Sequence, residues 1–201
     1  QGLDVFLSKD RVEIGRNFMN KLWNACRFVD MNKPNGWNDK ELMASQRLEL
    51  ADKWILNRLE RAIKNYNNQI ERFHFNESAK VLYDFIWNDF CDWYIEIAKT
   101  RFYSEDRDSK VSTYNTCVKC IRIILPLLHP YTPFITEELW SYFKDKDQPD
   151  LIISSWPEQK SEFDLKIDNE MEILQGIISS VRAIRSRMNI PPSKKIDLKV
   201  K

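Results

Sequence analysis

Glycine is scarce in this chain: four residues in 201, at positions 2, 15, 36 and 176. They stand too far apart to build a loop that cradles phosphate. Together with only eight prolines, this also argues against an all-β or a disordered chain. Histidine is rarer still. His74 and His129 alone are too few for a histidine-based acid–base pair or metal triad. Asp92 and Glu96 stand four apart, as the metal carboxylates of a bundle do, yet no Glu-x-x-His motif accompanies them. Pairing with Arg or Lys of neighbouring helices is the better expectation. Long apolar runs are missing too: the longest, Cys120 to Leu128, is broken by Arg122 and Pro126. A bilayer span needs about 20 apolar residues, so no membrane partner is expected. The opening Gln1-Gly-Leu-Asp-Val5 has neither a charged start nor an apolar stretch, so no secretion signal is read, and Asn76-Glu-Ser78 is a chance glycosylation pattern. Cys117 and Cys120 lack a second close pair and a nearby His, which makes a zinc site improbable. Reduced, buried thiols in a cytoplasmic protein are expected instead.

Charge of one sign is also lacking. With 31 basic and 30 acidic residues the net charge is +1, so the overall field makes no case for nucleic acid. The distribution is uneven, however. From Val181 onward seven Lys or Arg face the single acid Asp197, while residues 81–98 hold four acids and no base.

What the chain has is helical periodicity and aromatic rings. Val12, Phe18, Leu22, Cys26 and Val29 predict a helix over 11–31, closed by the turn residues Pro34-Asn-Gly36. Leu48, Ala51, Ile55, Leu59, Ala62, Tyr66 and Ile70 predict a second over about 45–71. A third runs to about 102 with Asn76 as its expected N-cap. Its segment Val81 to Ile97 packs two Trp, two Phe and two Tyr into seventeen residues. Ala79, Leu82, Ile86, Phe90, Trp93 and Ile97 form one helical stripe, leaving Tyr83, Phe85, Trp87 and Tyr94 outside it. One face cannot bury them all. A fourth helix is expected over 109–128, a bend at Pro126–Pro133, and a short helix over 134–143. Leu151–Ile153 reads as extended, and Asp164–Met188 as a last long helix. Ile196, Leu198 and Val200 alternate with charged residues as in a strand. The fold class expected is all-α: an up-and-down antiparallel bundle, then a helix and short strand from the start of a next unit. Neither end of the sequence reads as a natural terminus, so a piece of a larger protein is expected.

Four strings carry a family resemblance. They are Arg16-Asn-Phe-Met-Asn-Lys-Leu-Trp-Asn-Ala-Cys-Arg-Phe28, Leu82-Tyr-Asp-Phe-Ile-Trp-Asn-Asp-Phe-Cys-Asp-Trp-Tyr-Ile-Glu96, Leu128-His-Pro-Tyr-Thr-Pro-Phe-Ile-Thr-Glu-Glu-Leu-Trp140 and Val181-Arg-Ala-Ile-Arg-Ser-Arg-Met-Asn-Ile-Pro-Pro192. In this order they resemble the anticodon-binding bundle of the valyl-tRNA synthetase family, class I aminoacyl-tRNA synthetases. The His-Pro-x-x-Pro-Phe element is shared with isoleucyl and leucyl relatives, which remain the alternative, as does a plain helical scaffold. The resemblance implies a parent ligase that activates L-valine with ATP and Mg and charges tRNA-Val, acting as a cytoplasmic monomer. Its catalytic and editing domains would precede this piece and a coiled-coil arm would follow it. The piece itself would bind tRNA with no cofactor, no metal and no catalytic residue. Residues 1–10 would be a linker, 11–148 the bundle, and 149–201 a connector, last helix and truncated strand. The resemblance puts the anticodon against Phe28 first and Ile95 second, with Tyr94 beside it. Arg11 stands near where the family has an arginine. Arg27, Lys99 and Arg101 are phosphate candidates by charge, and Arg182 and Arg185 match the family's terminal helix.

Overall fold

The structure, a computed structural model, describes residues 8–43, 47–145, 147–191, 193–195 and 197. The chain divides into two compact units, Gln1–Phe163 and Asp164–Lys201. The first unit opens with α1 (Lys9–Met31), started by Ser8, whose hydroxyl accepts from the Arg11 amide. Gly36 closes the turn after it with φ 73°, the left-handed conformation that glycine adopts without strain. A short α2 (Asp39–Met43) and then α3 (Leu50–Glu71) follow. The α3 start is a capping box in which Glu49 and Asp52 each accept from the other's backbone. The third long helix is continuous from residue 75 to 102, in the segments α4 (Phe75–Asp84), a π-helical stretch (Phe85–Tyr94) and α5 (Ile95–Phe102). α6 (Arg107–Leu128) is capped by Asp106, and α7 (Pro133–Phe143) begins with the proline at its first position.

Contacts along the helices fix their directions. Phe18 stacks on Tyr83 and Phe28 meets Phe102, so α1 and the 75–102 helix run together. Arg58 pairs with Asp89, and Asp52 with Arg101, so α3 runs against it. Arg101 also donates to Ser109, and Tyr131 meets Ser78, so α6 runs against it too. The result is the expected up-down-up-down bundle, about 33 Å long for helices of this length.

Some expectations need correction. Asn76 is not the N-cap of the third helix; that position is His74, preceded by Phe73 at φ 59°. Leu151–Ile153 is a single 3-10 turn rather than extended chain, held by the Leu151 amide donating to Glu137. Pro126 lies inside the last turn of α6. The helix runs only two residues beyond it, so few backbone bonds are at stake. Residues 149–163 are tied to the bundle, with Trp140 donating to the Pro149 carbonyl and Asn67 to that of Pro157.

The π-helical stretch answers the problem of too many rings. A π-helix bonds i to i+5, and the buried residues follow that step: Phe85, Phe90 and Ile95, with Ile86 and Cys91. From its last residue onward, Tyr94, Ile95 and Ala98 are buried, where the α-helical stripe put Trp93 and Ile97 inside. The wider turn brings a different set of side chains inward. Tyr83 and Trp87 stack at 5.6 Å on the outer side, with the Lys21 ammonium 3.6 Å from the Trp87 ring.

The second unit holds α8 (Leu165–Arg187), started by the Asp164 carboxylate accepting from the Lys166 amide. The Arg185 guanidinium donates to the Pro191 carbonyl at 2.8 Å and to that of Lys194, folding the following chain back along the helix end. The expected strand over 196–200 lies, except for Asp197, outside the described residues.

Candidate functional site

One end of the bundle gathers the last turn of α1, the first of α3, the last of α5 and the first of α6. Phe28 is half-buried there, its ring edge-on to Phe102 with centroids 5.7 Å apart. The Lys99 ammonium stands 5.9 Å from the Phe28 ring and pairs with Glu96 at 2.6 Å. Arg27 is exposed one position earlier on α1. An aromatic ring with cations beside it is a stacking platform with a charge for backbone phosphate.

Other expected contacts lie elsewhere. Arg11 is exposed in the first turn of α1, about 25 Å along the helix from Phe28. Arg182 is exposed and Arg185 half-buried on α8, in the second unit. Tyr94, Ile95 and Arg101 are interior. Tyr94 donates its hydroxyl to Asp52 at 2.6 Å, and Ile95 packs in the core. Arg101, only 8% exposed, bonds Asp52 at 2.6 Å and also donates to Ser109. Glu49 stands 3.4 Å from the same guanidinium. Burial, with Cys117 and Asp52 adding to it, raises the Tyr94 phenol well above its ordinary pKa. It stays a neutral donor. These groups tie the starts of α3 and α6 to the turn that carries Lys99 and Phe102.

Sequence reasoning missed Asp52, Phe102 and the interior place of Arg101. The signals were there. Arg101 stands four after Ile97, in line with the apolar stripe expected from the sequence, and Glu49-x-x-Asp52 is a capping pattern. Among the described residues no group of three His, Cys, Asp or Glu is arranged to hold a metal. No described helix is long and apolar enough to cross a membrane.

Comparison with known families decides the class. A family model described as the anticodon-binding domain of tRNA ligase matches residues 52–200. The chain belongs to this family. Over its whole length the chain is also 42% identical to a valine–tRNA ligase of Listeria innocua. It is 41% identical to one of Bacillus subtilis and 38% identical to one of Bacillus cereus, again along the entire chain. In each case it spans 23% of the relative's length.

Proposed function

We propose that this chain is the tRNA-reading part of a valine–tRNA ligase, and that its cognate RNA is tRNA-Val. What carries the reading is the end-to-end similarity to valine–tRNA ligases, together with the Phe28, Phe102 and Lys99 group at one end of the bundle. The parent enzyme would activate valine with ATP and Mg in another domain and act in the cytoplasm as a monomer. In this division of labour the bundle supplies recognition alone. A base released from the anticodon stack rests on the Phe28 ring while Lys99 and Arg27 attract the flanking phosphates. Arg11 and, from the second unit, Arg182 and Arg185 are further phosphate contacts in this proposal. Tyr94, Ile95 and Arg101 act from the interior by holding the α5 turn in place.

The test is binding of the chain to tRNA-Val, to the same RNA with the middle A or third C of its anticodon replaced, and to tRNA-Ile. Weaker binding on either replacement, and to tRNA-Ile, is expected. Equal binding to all of them would overturn the reading, and a steep salt dependence with it would point to phosphate contacts alone.

A further inference from the structure

On α1, away from Phe102, a cleft of about 440 Å³ opens between α1 and α7. Trp23, Leu139, Tyr142 and Phe143 wall it, and Arg27 and Asp30 stand at it. Tyr142 is 52% exposed, so an aromatic ring faces solvent here. Among the described residues neither Arg27 nor Asp30 takes part in an ion pair. Two opposite charges thus flank an aromatic cleft without being spent on the fold.

We propose that this cleft takes one unstacked nucleobase of the bound RNA, stacked on Tyr142, with Arg27 on its phosphate and Asp30 on its amino edge. The inference rests on the reading of the chain as a tRNA-binding domain and adds a second base site to it. Successive residues of α1 point about 100° apart, so Phe28 faces α5 while Arg27 faces the cleft. The two sites would then lie on adjoining faces of the same turn of α1, within reach of one strand. The chemistry selects the ligand. An aromatic wall is a platform for any base, a guanidinium matches phosphate, and an ionised carboxylate only accepts hydrogen bonds. A nucleotide carries both the anion and the N–H donors that these two charges require. An apolar side chain from another protein segment would fill the walls but leave both charges unanswered.

A hairpin RNA carrying the tRNA-Val anticodon loop, made abasic at one loop position at a time, tests this against the chain and its Tyr142→Ala variant. One position is expected where removing the base and removing the ring each weaken binding by about tenfold and together by no more than either alone. Asp30→Asn, a change of nearly equal size at a half-buried position, should weaken binding of an amino-bearing base at that same position. Additive effects at every position, or unchanged affinity in both variants, would overturn the proposal and leave the cleft to a protein partner. Loss of anticodon dependence in the unsubstituted chain would instead overturn the tRNA-binding reading itself, so the two failures are distinct.

Discussion

Asp52 is fully buried and accepts from both Tyr94 and Arg101, so its carboxylate neutralises a cation that has almost no water of its own. Removing Asp52 leaves the buried Arg101 with only the exposed Glu49 carboxylate, 3.4 Å away, as a counter-charge, and breaking a buried pair costs about 3–5 kcal/mol. Asp52→Ala should lower the chemical-denaturation free energy by that amount, far beyond the effect of Lys99→Ala at its exposed pair. Phe28 is expected to behave the other way. Because it is only half-buried, Phe28→Ala should weaken tRNA binding by about tenfold with a smaller stability loss than the roughly 3–5 kcal/mol of a core phenylalanine. Titration and melting of the same variant check both halves. The four thiols give a pH prediction. Burial pushes Cys91 up to about 12, and raises Cys26, Cys117 and Cys120 as well. In the unfolded chain they ionise near 8.5, so above that pH the unfolded state sheds protons that the native state keeps. Stability should fall as pH rises past about 8.5, by up to about 1.4 kcal/mol per pH unit for each thiol. Denaturant midpoints at pH 7 and 9.5 measure it, and a Cys→Ala variant should show a weaker trend.

At the scale of elements, the sequence foretold which helices exist but not how one of them winds. Spacings of three and four drew α1, α3, α6 and α8 within a few residues; α1 and α3 each bury mainly one face, whereas α6 is buried almost all round from Ser112 to Leu128 and α8 buries Met171 alone. The third helix was misread from Trp93 onward. Its aromatic density allows both α and π windings, and Asp52, which bonds Tyr94 and Arg101 on the inner side of this helix, is distant in sequence. The five-residue α2 left no periodic signal, being shorter than two turns. Charge is normally solvated, so the sequence suggests a surface place for Arg101, and the carboxylate that holds it inside stands 49 residues away at Asp52. Deleting the exposed Asn88 should turn the π stretch into plain α-helix and rotate Tyr94, Ile95 and Arg101 away from their partners. The deletion should therefore destabilise by at least the cost of breaking the Asp52 pair, about 3–5 kcal/mol. Asn88→Ala, which keeps the residue count, should change stability by less than about 0.5 kcal/mol. Comparable losses in the two variants would show that the winding does not set the register.

At the scale of the whole molecule, a net charge of +1 requires that RNA be held by a few placed cations rather than by a general field. Each phosphate neutralised on single-stranded RNA contributes about −0.7 to the slope of log K against log salt. Arg11, Arg27 and Lys99 in the first unit, with Arg182 and Arg185 on α8, then give a slope of about −3.5. The two units allow these pairs to be separated. A chain ending at Phe163 keeps the core helices α1 to α7 and the residues that cap them, so it should still unfold cooperatively. If the α8 arginines touch the RNA, that shorter chain should bind with a slope reduced by about 1.4 while its anticodon dependence is retained. An unchanged slope would remove Arg182 and Arg185 from the interface and assign the whole electrostatic contribution to Arg11, Arg27 and Lys99 of the first unit.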